Sequence, residues 1–226
     1  MINEFEQADF SALSSDKRVV PKSKPFYAFI KRLADIILSV LAVIILSPVF
    51  LVTMIVVFAQ DGGNPFYVSL RRTKNGRLFR MYKFRSMIKD ADKLQQKLAK
   101  KHGATMDGPA FKMTGDPRIT KVGHFIRKTS IDELPQFFNV LKGDMSIVGP
   151  RPPVPEEMAR YTVYQMQRMQ VKQGLTCFWQ CSGRSNIDFD GRTELDLKYI
   201  RERGIWTDIK ILFKTVGAVV TMRGAK

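Results

Sequence analysis

Two adjacent carboxylates, Asp132 and Glu133, interrupt the basic run Arg127-Lys128-Thr129-Ser130-Ile131-Asp132-Glu133-Leu134-Pro135-Gln136. Downstream comes Gly149-Pro150-Arg151-Pro152, where prolines fix the backbone around an arginine. An arginine held that way suits bidentate phosphate binding. Carboxylates among arginines fit metal-assisted chemistry on a phosphorylated substrate. Helix capping accounts for the same residues more plainly. Ser130 and Glu133 have the spacing of a capping box, and acidic residues complement a helix N-terminus. On that footing the pair starts a helix over roughly 131–141, and Arg151 lies in a surface loop.

Such chemistry needs a platform, and the chain offers one upstream. Residues 36–59 contain no charged side chain. As one straight helix they extend about 36 Å, against a bilayer core of about 30 Å. Ser47-Pro48 falls in the middle. Proline removes a backbone hydrogen bond there, and a serine hydroxyl can satisfy the freed carbonyl. Lys22, Lys24, Lys31 and Arg32 precede the segment, and Arg71, Arg72, Lys74, Arg77, Arg80, Lys83 and Arg85 follow it. Positive charge on both flanks favours both on the cytoplasmic side, hence a reentrant anchor broken at Ser47-Pro48. A spanning helix and a buried core helix are the alternatives. Lys31 and Arg32 either bind lipid phosphate or snorkel as ordinary anchors.

The expected organisation is a flexible segment over 1–25, an anchor over 26–60 and a cytosolic catalytic domain over 61–226. The first residues are acidic where a signal peptide is basic. The fold class is α+β: mostly helical, with a small β-hairpin and amphipathic interfacial helices. Phe66, Val68 and Leu70 alternate before Asn75-Gly76, and Leu78 and Met81 follow, which predicts the hairpin. Its polar positions are nearly all Lys or Arg. A polar helix is expected over 88–101, a loop over 103–116, a helix over 155–171 and a strand within 174–180. A further helix is expected over 193–203. Trp206, Ile209, Leu212, Phe213 and Val216 give 205–220 one apolar face, for the core or the membrane interface.

Composition narrows the partners. The 226 residues carry a formal net charge of +16, so the partner is anionic: a phosphorylated substrate, anionic lipid or nucleic acid. No nucleic-acid motif or base-stacking platform is present. Cys177 and Cys181 could lie near each other on a helix, but two thiols do not make a structural zinc site, and His102 and His124 are far away in sequence. No dinucleotide or P-loop glycine fingerprint occurs.

Four motifs in register carry a resemblance: Lys83-Phe84-Arg85-Ser86-Met87; Thr129 to Gln136; Gly143-Asp144-Met145-Ser146-Ile147-Val148-Gly149-Pro150-Arg151-Pro152; and Gly183-Arg184. From about Phe26 onward the chain resembles the bacterial sugar transferases, the monotopic phosphoglycosyl transferases, in a short catalytic-core form without a preceding multi-span region. The resemblance implies transfer of a sugar-1-phosphate from a UDP-sugar to a polyprenol phosphate (undecaprenyl phosphate), releasing UMP. This would prime exopolysaccharide, capsule or glycoconjugate assembly at the cytoplasmic face of the bacterial inner membrane. It implies a Mg2+ cofactor held at Asp132 and Glu133, and attack by Asp132 to form a phosphosugar-enzyme intermediate. Glu133 would assist metal binding or proton transfer. Arg127, Arg151 and Arg184 would hold phosphates, Lys83 and Arg85 belong to the family's basic strip, and Asp196 is placed by pattern near the donor. A homodimer fits the class. Direct transfer, with Asp132 and Glu133 only chelating Mg2+, is one rival. A membrane-anchored basic module for anionic lipid or nucleic acid is another, and a spanning scaffold a third. Which UDP-sugar serves is not written in local motifs.

Overall fold

The structure, a computed structural model, describes residues 4–91, 105–107, 110–112, 116–182 and 187–221. Helices α1 (Pro25–Ile45) and α2 (Ser47–Ala59) meet at a 60° bend. The cause is local. Pro48 has no N–H for the Ile44 carbonyl four residues back. The neighbouring Ser47 hydroxyl donates to that oxygen instead, at 2.8 Å. Among the described residues no single helix is long and apolar enough to cross a membrane; only the bent pair together has the length and composition.

α1 docks on the rest of the protein along one stripe. Tyr27, Lys31, Asp35 and Ser39 recur every four residues and so share a face. Lys31 Nζ lies 2.7 Å from Asp208 Oδ2, and Tyr27 donates to the same oxygen at 2.9 Å. Asp35 Oδ1 accepts from Ile147 N at 2.9 Å and Ser146 Oγ at 3.1 Å. Arg32 donates to the Val140 and Leu141 carbonyls at a helix C-terminus. Lys31 and Arg32, expected either to bind lipid phosphate or to snorkel, are therefore engaged inside the protein. α2 turns Phe50, Thr53 and Val57 inward and leaves Leu51, Val52 and Ile55 exposed.

Strands β1 (Phe66–Arg72) and β2 (Leu78–Phe84) form the expected antiparallel hairpin, Phe66 opposite Phe84. Asn75 and Gly76 both take positive φ, 56° and 72°, as the turn demands. β3 (Thr105–Asp107) pairs with β4 (Ala110–Lys112), where a loop was expected; three-residue strands are too short to show alternation. Most of the polar helix expected over 88–101 falls outside the described residues.

Helix α3 (Lys121–Lys128) is capped by Thr120, whose hydroxyl accepts from Gly123 N. The helix expected over 131–141 is two pieces. Ser130 has φ of 61° and its side chain does not cap, so Ile131–Glu133 is a tight 3-10 turn and α4 (Gln136–Lys142) starts after Pro135. β5 (Ser146–Val148) pairs in parallel with β6 (Gly174–Thr176). The crossover between them is not one helix: Thr162 caps a fresh start, giving α5 (Pro155–Met158) and α6 (Val163–Met166). α7 (Phe178–Ser182), α8 (Phe189–Glu202) and α9 (Ile205–Val220) complete the chain. α8 starts before 193 because the Asp188 carboxylate caps it, accepting from Gly191 N.

The main core gathers Val140, Ile147, Val148, Leu197, Ile200 and Ile211, so β5 is buried under α8 and α9. A second cluster joins Phe50 and Val57 of α2 to Phe84 and Ile126, with Ile131 and Leu134 against it. α2 thus packs directly behind the turn that carries Asp132. The N-terminal segment, expected to be flexible, lies along the domain. Val19 N donates to Gln167 Oε1 at 2.6 Å, Glu4 pairs with Arg72, and Phe5 and Phe10 cover Met158, Met166 and Met169.

Candidate active site

Ser130 breaks the helical path after α3, and its left-handed backbone costs of order 1 kcal/mol in a non-glycine residue. The turn drops Asp132 inward, to 7% exposure, between the Ile131 and Leu134 side chains that face the α2 cluster. β2 supplies the first cation. Lys83 Nζ lies 3.4 Å from Asp132 Oδ2 and 3.0 Å from Glu133 Oε1. Asn139 of α4 sets this spacing: its amide accepts from Tyr82 N at 2.9 Å and donates to Arg80 O at 2.7 Å, closing the free edge of β2.

The second cation arrives on the loop after β5. Gly149 N donates to Thr176 O, and Gly174 N to Pro150 O. A Cβ on Gly174 would sit 2.2 Å from Gly149 N, so the two backbones cross at a distance only glycine allows. This crossing aims Arg151, whose Nη1 lies 3.2 Å from Glu133 Oε1. Arg127, at the end of α3, donates from Nε to Ser86 Oγ at 2.8 Å. Burial holds its guanidinium below the usual value, while the Asp132 charge opposes that.

The two acids separate. Burial, and then the Glu133 charge beside it, pushes the Asp132 carboxyl up against the opposing pull of Lys83 and Arg127. Burial works the same way on Glu133, but Lys83 and Arg151 outweigh it and hold that carboxyl well below the usual range. Asp132 Oδ1 and Glu133 Oε2 receive no hydrogen bond among the described residues. Those oxygens suit a hard divalent cation. Among the described residues no group of three or more His, Cys, Asp or Glu gathers to hold a metal by itself.

The structure therefore brings Lys83, Arg127, Asp132, Glu133 and Arg151 together. Arg85 goes elsewhere: its Nη1 lies 2.9 Å from Asp61 Oδ2, below the end of α2. Asp196 is also apart from the pair, sealed in the core at 0% exposure with Arg168 Nη2 at 2.7 Å. Arg184 lies outside the described residues. Ser86 and Asn139 were not anticipated. Ser86 stands inside the Lys83–Met87 motif, which is a signal; a lone asparagine on a helix gives none.

A bent apolar helix pair packs behind an acidic turn ringed by lysine and arginine, a site suited to binding anions. The bacterial sugar transferase family model matches residues 26–222, and the chain belongs to that family. It is 47% identical over 215 residues to the galactosyl transferase CpsE of Streptococcus agalactiae, covering 92% of this chain and 47% of that protein. It is 46% identical over 199 residues to the undecaprenyl-phosphate galactose phosphotransferase of Salmonella typhimurium, covering 87% and 42%. The chain thus spans under half the length of these two relatives. With the exopolysaccharide production protein ExoY of Sinorhizobium fredii it shares 39% identity over 204 residues, covering 89% of this chain and 90% of the relative.

Proposed function

We propose that the protein transfers a sugar-1-phosphate from a UDP-sugar to undecaprenyl phosphate, releasing UMP, by way of a phosphosugar intermediate on Asp132. The observation that carries this is the cluster of Asp132 and Glu133 with Lys83 and Arg151. Asp132 attacks the β-phosphorus, the bond from that phosphorus to the bridging oxygen breaks, and UMP leaves with the electron pair. An oxygen of the acceptor phosphate then attacks the same phosphorus, and the Asp132 carboxylate departs. A dianionic acceptor needs no proton transfer. For a monoanionic acceptor Glu133 is the base, since Lys83 and Arg151 keep it ionised.

Lys83, Arg127 and Arg151 neutralise the diphosphate that would otherwise repel the nucleophile. Mg2+ is the cation of choice for the free oxygens of Asp132 and Glu133, and when bound it supplies further charge neutralisation. The bent α1–α2 pair enters the cytoplasmic leaflet and returns, so the acidic turn sits at headgroup level, where the acceptor phosphate lies. Two relatives are named for galactose or galactosyl transfer, which makes UDP-galactose the first donor to test.

The test is UMP release from a panel of UDP-sugars by the purified protein in detergent, with Mg2+ and undecaprenyl phosphate, beside Asp132→Asn. The expected result is UMP from one donor, lost in the variant and on chelation. Intact-mass measurement without acceptor is expected to show a phosphosugar increment on Asp132. Acceptor-dependent UMP with no increment at any time would favour direct transfer. No UMP from any donor, with the protein folded, would sink the proposal.

A further inference from the structure

We infer that Arg71 is a second diphosphate-binding arginine, working beside Arg151 on the phosphate that departs with UMP. The inference rests on the reaction proposed above. Arg71 lies in β1 opposite Phe79, and Tyr67 of the same strand lies opposite Lys83. Side chains alternate along a strand, so Arg71 and Lys83 occupy one face of the hairpin.

The Arg71 guanidinium is tethered but carries no counter-charge. Nε donates to Ser69 Oγ and Nη1 to the Pro152 carbonyl, each at 3.2 Å. Both acceptors are neutral, and the second is the residue after Arg151. Five other partly or fully buried arginines are carboxylate-paired, Arg72 with Glu4, Arg85 with Asp61, Arg118 with Asp116, Arg151 with Glu133 and Arg168 with Asp196, whereas Arg32, Arg127 and Arg203, like Arg71, donate to neutral oxygens. Among the described residues no carboxylate pairs with Arg71. Glu157 and Glu133 act on it only at a distance, and Glu157 is already the acceptor for Val154 N. Burial first, and the Arg151 charge next, holds the Arg71 guanidinium down to about 10.

Leaving a half-buried cation beside another is costly unless an anion completes the site. The site as a whole shows the same imbalance: among the described residues Lys83, Arg71, Arg127 and Arg151 form ion pairs only with Asp132 and Glu133, while Glu157 and Asp116 act at a distance. A diphosphate supplies the missing charge, and a planar guanidinium takes two of its oxygens. Position selects which phosphate. Lys83 and Arg127 lie beside Asp132, hence beside the phosphorus it attacks. Arg71 is tied to the residue after Arg151 and forms no ion pair with Asp132, so the departing phosphate is the one assigned to it.

The experiment compares wild type with Arg71→Gln and Arg71→Lys for UDP-sugar KM, undecaprenyl phosphate KM and product inhibition by UMP, with melting temperature as control. The expected result is an increase of about tenfold or more in both UDP-sugar KM and the UMP inhibition constant, as loss of a charge-assisted bidentate contact implies. Undecaprenyl phosphate KM is expected to stay unchanged. Unaltered donor KM and UMP inhibition in a folded variant would overturn the assignment, as would an equal loss of acceptor affinity. If Arg71→Gln melts early, Arg71→Lys decides, since it keeps a charge and a donor for Pro152. If wild type releases no UMP, the proposed reaction fails by itself. Calorimetric binding of UMP and inorganic diphosphate then judges Arg71: affinity lost in the variants supports it, and affinity retained, or absent from wild type, overturns it.

Discussion

Asp132 and Glu133 are neighbours in the chain with opposite shifts in acidity. Burial lifts Asp132, while Lys83 and Arg151 hold Glu133 down. In the proposed reaction Asp132 attacks and must be ionised, so kcat/KM is expected to fall on acidification with a midpoint above the ordinary aspartate value of 3.8. Lys83 is the largest charge opposing the lift. Lys83→Met is therefore expected to move that limb to higher pH and to lower kcat/KM tenfold or more, by roughly 1.4 kcal/mol in the barrier. A pH–rate profile of UMP release checks both, and an unmoved limb would refute the role given to Lys83. Folding stability responds with opposite signs at the two acids. Glu133, depressed, stabilises the fold above its unfolded pKa and loses that as pH falls toward its folded value. Asp132, raised, costs stability above its unfolded pKa, and acidification through its folded value relieves the cost. The third acid, Asp196, belongs to the core. Asp196→Ala leaves Arg168 buried without its partner and is expected to destabilise by about 3–5 kcal/mol, read as a lowered melting temperature.

At the scale of elements, the acidic turn is held by groups that come from far away in sequence. Asp35 of α1 accepts from Ile147 N and so fixes β5, the strand that runs into the Arg151 loop. Asp35→Ala orphans a buried N–H and is expected to cost about 1–3 kcal/mol, whereas Asp35→Asn keeps an acceptor oxygen and loses less. Thermal melts in detergent distinguish them, and equal melting temperatures for wild type and Asp35→Ala would remove Asp35 from this role. Legibility follows the range of each contact. The hairpin was readable because Asn75-Gly76 and the alternation around it are local. The break at Ser47-Pro48 was readable because proline's missing donor is a property of the residue itself. The helix over 131–141 was misread because Ser130 and Glu133 match a capping box, while nothing in the sequence reveals a left-handed Ser130. The docking stripe on α1 went unread because its polar residues straddle the edge of an apolar run. Asn139 was invisible, since its partners in β2 lie some sixty residues away. The acidic pair and Arg151 stood out by composition. Arg85 looked equivalent to Lys83, but the alternation of β2 ends between them.

On the whole molecule, the exposed apolar surface is not confined to the bent α1–α2 pair. α9 leaves Trp206 at 82% and Phe213 at 76% exposure, with Val216 also exposed, and α1 and α2 leave Ile44, Ile45, Leu51 and Ile55 open. Apolar surface of this extent belongs against lipid or protein rather than water. If α9 lies in the headgroup boundary while the bent pair goes deeper, the domain is held at two places and cannot tilt its acidic turn away from the acceptor. The two tryptophans make this measurable. Trp206 is on the outer face of α9, and Trp179 is 8% exposed within the fold. In vesicles containing brominated lipid, the fluorescence of the Trp179→Phe variant is expected to be strongly quenched, because its remaining Trp206 touches the acyl chains near the headgroups. The Trp206→Phe variant is expected to keep most of its emission. Bromines placed just below the headgroups are expected to quench more than bromines near the bilayer centre, since an interfacial helix reaches only about 5–10 Å into the headgroup boundary. Equal quenching of the two variants, or none in either, would mean that α9 meets something other than lipid, and the domain would then depend on α1 and α2 alone for its orientation.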